Sequence, residues 1–306
     1  MSTSGNTRTG YDTRHLQNAV LRRRSVTDEL LQQIRLIAPI LGLVLIWSLE
    51  SVQAGWSLSG RLRHAGRNLM LWAINTAVVL LTISTVTVSV IQWAEGRHLG
   101  VLRWLKIPGT VAVPFGIVLL DLWMWLWHLL NHRIPILWRF HRVHHSDVDM
   151  DVTTSFRFHV GEIVCSAFCR LPVLIILGVG LPTLLLHETL LVLMTQFHHS
   201  RLKLGRWDSL LQCLIVTPDM HRIHHSPIRD LTNSNYSSIL SLWDRVFATF
   251  RVRRESSSQP AELGLAEFRS DNWQTLSGML QTPFADVPTI TSPSPESQDA
   301  KSSRHP

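Results

Sequence analysis

The stretch DLWMWLWHLLNHRIPILWRFHRVHHSD, residues 121–147, decides the fold because it joins an apolar run to two histidine motifs. Its histidines are His128, His132, His141, His144 and His145. The first two are four residues apart, so on a helix both imidazoles lie on one face. The other three form an HxxHH pattern, whose spacings of three and four again gather the rings on one side. The stretch therefore predicts helices that carry a cluster of imidazoles at the edge of an apolar segment.

A third motif, MHRIHHS at 220–226, repeats the HxxHH pattern with His221, His224 and His225. The chain contains 16 histidines in 306 residues, and half of them fall into these three motifs. Chance placement rarely produces such grouping, and paired imidazoles beside apolar spans are costly to bury without a metal. Isolated histidines are interpreted as surface or structural residues, and the role of His187 is left open. The three motifs together predict a metal centre.

Imidazole suits iron, copper, nickel and zinc, whereas calcium and magnesium prefer oxygen ligands. Eight histidines are too many for one ion, which rarely uses more than three or four, but two ions with open coordination could use them. The Glu and ExxH pairs of soluble di-iron proteins are missing, so histidine must dominate. An iron pair held in this way can activate dioxygen for attack on an unactivated C–H bond. Hydroxylation or desaturation would follow.

The composition favours a membrane protein. The chain is 45% hydrophobic and 17% charged, with a formal net charge of +7 and twelve tryptophans, which suits apolar spans flanked by basic and aromatic anchors. Arginines are spread through the joins between apolar segments, so nucleic-acid binding is not expected. The three cysteines form no CxxC pair, which argues against a thiolate zinc module.

Four segments are long and apolar enough to be candidate membrane spans. They are Ile34–Trp56, Leu69–Ala94, Ile107–Leu130 and Leu171–Phe197. Gly178, Gly180 and Pro182 interrupt the fourth, which could tilt or form a hairpin of two half-spans. The prediction is an all-α, polytopic membrane helical bundle with a histidine-rich helical cap that holds a di-metal site.

Three regions are predicted along the chain. Residues 1–32 form a polar, basic N-terminal segment, residues 33–282 the membrane domain, and residues 283–306 a disordered tail rich in Ser and Pro. No removable signal peptide is visible. Counting positive charges gives no clear inside, and we expect a multi-pass protein with the metal site on the cytoplasmic side.

In these motifs the chain resembles the fatty acid hydroxylase and sterol desaturase superfamily, whose pattern reads HxxxH, HxxHH and, far downstream, HxxHH. TTSFRFH at 153–159, TPDMHRIHHS at 217–226 and NYSSILSLWDRVFATF at 235–250 extend the likeness over roughly residues 65–255. The resemblance implies a helical membrane enzyme with two iron ions, dioxygen as co-substrate, and a lipid or sterol-like substrate. It also implies that the eight clustered histidines are metal ligands.

The resemblance also implies further metal ligands, at positions where the match to the superfamily pattern is less close. A histidine is expected near HHS at 198–200, and we favour His199, with His198 as the alternative. His159 stands where the superfamily has His-Pro, but Val160 replaces that proline, so His159 is a candidate ligand or a supporting residue.

Groups that hold a ligating imidazole can also be proposed, because such a ring usually donates its other N–H to a carboxylate or carbonyl. Asp121, seven residues before His128 and near the same helical stripe, is the best candidate for this catalytic support, and Asn235 is a weaker one. Glu162, Asp219 and Asp244 are weaker candidates, since each could equally serve in a cap or turn.

Two other classes stay open. A zinc-dependent membrane hydrolase would use imidazole too, although HExxH is absent, and a non-enzymatic metal or haem-binding membrane protein also places histidines near span ends. No motif for nicotinamide, flavin or haem is present, so an enzyme of this type would need a separate electron donor such as a ferredoxin, cytochrome or reductase.

Overall fold

The computed structural model describes residues 13–53, 57–252 and 262–286. This part of the chain is helical, with an isolated β-bridge between Ile215 and Leu240 and no strand. The helices, in chain order, are α1 (Thr13–Gln53), α2 (Leu58–Val78), α3 (Ser84–Gly96), α4 (Val101–Trp104), α5 (Gly109–Arg133), α6 (Pro135–His145), α7 (Val160–Leu177), α8 (Leu181–His199), α9 (Arg206–Leu211), α10 (Pro218–His224), α11 (Arg229–Thr232), α12 (Leu242–Val246) and α13 (Leu276–Gln281). A π-helical turn, Val79–Ile83, joins α2 to α3, and short 3₁₀ turns cover Val152–Phe156, Ala266–Phe268 and Thr282–Phe284.

Four helical segments of the described chain are long and apolar enough to cross a membrane, which confirms the predicted membrane bundle. They are Glu29–Gln53, Leu58–Trp104, Gly109–Arg133 and Val160–Leu177. The first lies within α1, the second runs from α2 to α4, and the other two are α5 and α7. The predicted first span reached Trp56, but α1 ends at Gln53 and residues 54–56 lie outside the described part.

The prediction of one span over Leu171–Phe197 is wrong in its bounds. The chain leaves the helical conformation at Gly178, whose φ is +74°, and α8 begins at Leu181. The result is a hairpin of α7 and α8. At 1.5 Å per residue, α7 is about 27 Å long and α8 about 28 Å, so each helix is nearly as long as the hydrocarbon layer is thick and neither is a half-span. The left-handed residue at the turn is a glycine because a Cβ would be strained there.

The turn at Gly178 packs against the loop that follows α3. A Cβ added to Gly100 would lie 2.2 Å from Gly178 Cα, so the two backbones touch. Helices α3 and α7 therefore end at the same end of the bundle, and α5 and α8 start there. A buried apolar cluster fills this end, formed by Ile91, Leu102, Leu120, Leu174, Val179 and Leu184.

The histidine motifs gather at the opposite end, where α5, α8 and α6 finish and α10 lies. Helices α5 and α8 carry them to the ends of apolar runs, and α6 begins directly after α5 because Pro135 at its first turn has the φ that a helix start needs. The predicted histidine-rich helical cap on a helical bundle is thus confirmed.

The cap continues past the predicted domain boundary at residue 282. The Arg142 guanidinium donates to the carbonyl oxygens of Thr282 at 2.6 Å and Ala285 at 2.7 Å, which ties the C-terminal turn to α6. The rest of the predicted tail, residues 287–306, lies outside the described residues, as do residues 1–12 of the predicted N-terminal segment. Residues 13–32 of that segment belong to α1.

Candidate metal centre

Nine imidazoles at the cap form two groups. The ligand nitrogens within each group all lie within 4.8 Å of one another. Site A consists of His128, His132, His141, His145 and His224, and site B of His144, His199, His221 and His225. The nine rings are largely buried. Such a group of convergent nitrogens matches the ligand sets of transition metals.

Helix geometry explains how each site is assembled. Site A receives i, i+4 pairs from α5 (His128 and His132) and α6 (His141 and His145). Site B receives the pair His221 and His225 from the end of α10, with His199 from the last residue of α8. Residues four apart lie on one helix face, so each pair points at one centre.

The two HxxHH motifs exchange one histidine each. His144 leaves the α6 face that serves site A and joins site B, while His224 of α10 joins site A. Adjacent histidines on a helix point in directions about 100° apart, so each doublet spans both sites. The ring centroids are 5.5 Å apart in His144–His145 and 5.6 Å apart in His224–His225.

Protein acceptors set the orientation of four of the rings. His128 Nδ1 lies 2.8 Å from Tyr236 O, His199 Nδ1 2.7 Å from Thr195 O, and His224 Nδ1 2.6 Å from Ser234 O. His141 Nδ1 lies 2.9 Å from Glu162 Oε1. Carbonyl and carboxylate oxygens only accept, so each of these Nδ1 atoms carries the proton. In the neutral ring the lone pair is then on Nε2, which is free to face a metal.

In both sites Nε2 atoms face one another at about 3 Å. His128 Nε2 and His141 Nε2 are 3.1 Å apart, although both rings carry their proton on Nδ1. In site B, His199 Nε2 lies 3.0 Å from His144 Nε2 and 3.0 Å from His221 Nε2. In site A the two facing lone pairs repel, and a cation bound between them removes that conflict. In site B the lone pair of His199 Nε2 faces the nitrogens of two neighbouring rings, as a shared metal ligand would. The donor sets of both sites therefore fit a metal ion.

The electrostatics of the cap keep these ligands neutral. Burial lowers the pKa of His144, His145, His221, His224 and His225 well below the ordinary value for histidine, and neighbouring imidazoles lower it further. At neutral pH these rings are unprotonated. A metal ion can thus bind without first displacing protons.

Aromatic side chains pack against ligand imidazoles of both sites. Phe158 stacks on the His144 ring with centroids 4.4 Å apart, and the Trp138 ring lies 4.9 Å from His132 and 5.4 Å from His145. These contacts cover imidazole faces with apolar surface and keep water away from the ligand nitrogens.

A buried polar network holds the turn that follows His145. Asp147 accepts from His64 Nε2 at 2.9 Å and from Thr154 Oγ1 at 2.8 Å. Arg157, also buried, donates to Val143 O and Ser146 Oγ at 3.0 Å each. Thr154 and Arg157 of the TTSFRFH segment therefore brace the end of α6 from behind the histidines.

The structure does not bring Asp121 to an imidazole. Its carboxylate accepts from Ile239 N at 3.2 Å, Leu240 N at 3.0 Å and Trp243 Nε1 at 2.8 Å. The expected role as support for His128 is therefore wrong. Seven residues are two helical turns, about 10 Å, so Asp121 shares the stripe of His128 but lies too far below it.

Asn235 is also a scaffold residue. Its amide donates to Met220 O and Arg251 O at 3.0 Å each, and its φ is +54°. This left-handed turn directs the following carbonyl of Tyr236 at His128. Asn235 touches no ligand nitrogen, so it positions the loop rather than acting in catalysis.

Two of the weaker candidates prove more informative. Glu162 makes the contact expected of a supporting carboxylate, since it accepts from His141. Asp244 accepts from Tyr236 N at 2.8 Å, Ser237 N at 2.9 Å and Trp125 Nε1 at 3.1 Å, which fixes the loop that contacts His128. Asp219 is bonded to Arg222 only.

Two predicted ligands lie outside both groups. His159 caps α7, because its Nδ1 accepts from Gly161 N at 3.0 Å. His198 is buried beside His199 and His221, with ring centroids 4.7 Å and 4.1 Å away, but its nitrogens do not join site B. His187, left open above, is buried on α8 and belongs to neither site.

Comparison with known proteins assigns this region. Residues 113–249, which supply all nine imidazoles, match the family model described as fatty acid hydroxylase. The chain is 31% identical over 152 residues to ornithine lipid hydroxylase OlsE of Rhizobium tropici, covering 49% of this chain and 45% of that protein. It is 29% identical over 155 residues to human alkylglycerol monooxygenase, covering 50% and 32%, and 26% identical over 174 residues to human cholesterol 25-hydroxylase, covering 49% and 60%.

The chain spans about half or less of the length of the first relatives it matches. No solved structure matches it. The matched region nevertheless contains both imidazole sites and the loop of Asn235 and Tyr236 that orients them. Over residues 113–249 the chain is therefore similar to the fatty acid hydroxylase family, in agreement with the resemblance of its histidine motifs.

Proposed function

We propose that this protein is a non-haem di-iron oxygenase of the membrane, which hydroxylates or desaturates a C–H bond of a lipid or sterol-like substrate. The relatives described above are lipid and sterol hydroxylases and monooxygenases, which supports this reaction class. In hydroxylation, one dioxygen, two electrons and two protons convert the C–H bond to an alcohol and release one water. In desaturation, the same reactants give an alkene and two waters.

One observation carries the proposal: two adjacent sets of imidazoles, each with Nε2 atoms that face each other within about 3 Å. Five and four nitrogens are suitable ligand numbers for two separate ions, with coordination positions left for oxygen. Bound at these two sites, an iron pair would supply the activation of dioxygen.

The chain's own groups have three tasks in this proposal. Glu162 and the carbonyls of Tyr236, Thr195 and Ser234 hold the Nδ1 protons, so that each Nε2 keeps its lone pair and direction. Phe158 and Trp138 exclude water from the sites. The helical bundle holds the sites next to the membrane. An apolar substrate can therefore reach them directly from the bilayer, without passing through water.

The reducing electrons come from a separate donor, a ferredoxin, cytochrome or reductase, and the metal centre faces the cytoplasm, where such donors occur. Both parts extend the proposal beyond the reaction itself. The electron donor is tested by measuring turnover after reconstitution with each purified donor. The orientation is tested by determining on which side of sealed vesicles the cap is accessible.

The experiment is to purify the protein from cells grown with iron, measure its metal content, and follow oxygen consumption with a donor and a lipid extract. We expect two irons per chain and lipid-dependent oxygen uptake. His224→Ala in site A and His144→Ala in site B should each lower bound iron and abolish turnover, while both variants still insert into the membrane. His159→Asn is the matched control, because Asn can also cap α7 and should leave metal content unchanged.

The same preparation distinguishes the two alternatives. A zinc-dependent hydrolase would contain zinc and hydrolyse lipid without consuming oxygen. A haem protein would show a Soret band. However, a haem needs a flat pocket with one or two axial ligands, whereas these rings pack against one another with centroids 4.4 to 6.5 Å apart. Full turnover in either alanine variant would contradict the ligand assignment.

A further inference from the structure

Two short helices beside the bundle expose a large apolar surface although they lie outside the four candidate spans. Helices α9 and α12 are joined by the bridge between Ile215 and Leu240 and by Ser241 Oγ, which donates to Gln212 O at 2.6 Å. Six large apolar side chains of this unit are 46% to 67% exposed. We call them the interfacial platform: Trp207, Leu210, Leu214, Leu242, Val246 and Phe247. Trp207 and Leu210, and likewise Leu242 and Val246, lie one helical turn apart, and exposed apolar side chains grouped in this way mark an interaction site.

The platform is fixed to the membrane-spanning helix α5. Asp121 accepts from Ile239 N, Leu240 N and Trp243 Nε1, and Phe247 stacks on Trp125 with ring centroids 4.2 Å apart. These contacts are the reason for a buried carboxylate inside a candidate span. They hold the platform against α5 in a fixed position.

The anchor point sets the depth of the platform. Asp121 is the thirteenth of the 25 residues of α5, about 18 Å from the first. If the first residue of α5 is placed at the far boundary of a hydrocarbon layer about 30 Å thick, this level lies roughly 12 Å inside the boundary on the side of the metal sites. Amphipathic helices that lie in the interface bury their apolar faces about 5 to 10 Å deep. The anchor of the platform therefore lies slightly deeper than that range, within the hydrocarbon of the leaflet on the metal side.

Basic residues flank the platform, although α9 also carries the partly buried Asp208. Lys203 and Arg206 precede Trp207, and the Arg206 guanidinium lies 5.2 Å from the Trp207 ring centroid. Arg245 lies over Phe250 at 3.9 Å, while the acidic Asp244 is buried and bonded inside the protein. Basic and tryptophan side chains beside an apolar face are typical of the membrane interface.

We propose that the interfacial platform is embedded in the leaflet on the metal side of the membrane, with bilayer lipid as its partner. The bilayer is favoured over a second protein because the platform is continuous with α5, a helix that itself faces lipid. This inference does not depend on the metal or on the reaction. A failure of the proposed oxygenase activity would leave it standing, and the converse also holds.

The native thiol of Cys213, exposed on the platform, allows a direct test. A nitroxide on Cys213 is measured in the full chain with Cys165 and Cys169 replaced by alanine, in nanodiscs of phosphatidylcholine and phosphatidylglycerol. Power saturation compares the access of oxygen, which concentrates in hydrocarbon, with that of a water-soluble nickel chelate. Cys169, exposed on α7 inside a span, is the lipid reference, and Asp271→Cys, exposed in the C-terminal part of the cap, is the water reference.

We expect the Cys213 label to favour oxygen over nickel, as the Cys169 label does, and the Asp271→Cys label to favour nickel. Leu210→Cys repeats the measurement at a second platform position, in case the label at Cys213 disturbs the fold. Nickel access at both platform positions equal to that at Asp271→Cys would overturn the proposal. So would strong dipolar coupling between labels in discs that hold two chains, since the platform would then contact another copy.

Discussion

Replacing Glu162 tests whether the imidazoles are held from behind as the structure indicates. The carboxylate is buried, it accepts from His141 Nδ1 at 2.9 Å, and Asn131 Nδ2 lies 3.4 Å from the same oxygen. With Glu162→Ala, the His141 ring loses its fixed tautomer and its orientation. Loss of such a partner weakens metal binding about 10- to 100-fold, or roughly 1.4 to 2.8 kcal/mol. Glu162→Gln keeps an acceptor oxygen without the charge, so its effect should be smaller.

The assay is metal content after equilibration with a series of buffered free iron concentrations. We expect the half-loading concentration of one of the two ions to rise about 10- to 100-fold in Glu162→Ala, with the second ion less affected. Asp219→Asn is the matched control, since Asp219 lies on α10 near the ligands but is bonded to Arg222 only. Unchanged loading of both ions in a folded Glu162→Ala protein would refute the role assigned to this carboxylate.

Two further predictions concern the scaffold. Asp121→Asn leaves one acceptor oxygen for three donors, so the free energy of unfolding should fall by about 1–3 kcal/mol. Thermal unfolding in detergent measures this change. Loss of metal with an unchanged unfolding midpoint would contradict the prediction. Gly100→Ala should destabilise the fold by at least about 2 kcal/mol, because its φ is +107° and the Cβ would meet Gly178. Gly66→Ala, in open space within α2, should instead stabilise by about 0.5–1 kcal/mol, and equal effects of the two changes would show that the Gly100 contact is absent.

The sequence predicted the helical class and the membrane spans well, since both depend on local composition. The π-helical turn at Val79–Ile83 and the extension of the second span to Trp104 were not predicted, because they leave no distinct hydropathy signal. The fourth span failed in a different way. Gly178 and Gly180 were recognised as a break, but hydropathy alone did not show that α7 starts as early as Val160.

The sequence also predicted that the histidine motifs would contribute to one centre, but the assignment of rings to sites was beyond it. His144 and His145 are neighbours in the chain and serve different sites, and only the packing of α6 against α8 and α10 decides which. For the same reason, the sequence analysis ranked Glu162 below Asp121 as a carboxylate that supports a ligand histidine. A shared helical stripe is readable from spacing, whereas the approach of α7 to His141 depends on contacts between residues far apart in sequence.

The exchange of histidines between the motifs has a consequence for how the two sites act. Because the doublets His144–His145 and His224–His225 each bridge the sites, two short backbone segments set the separation of the two centres. Any movement of α6 relative to α10 changes both ligand sets at once, so the sites cannot relax independently. The brace formed by Asp147 and Arg157 holds the end of α6 from behind, and the loop anchored by Asp244 holds the partners of His128. Hydrogen bonds that touch no ligand nitrogen therefore maintain the spacing on which chemistry at a pair of ions would depend.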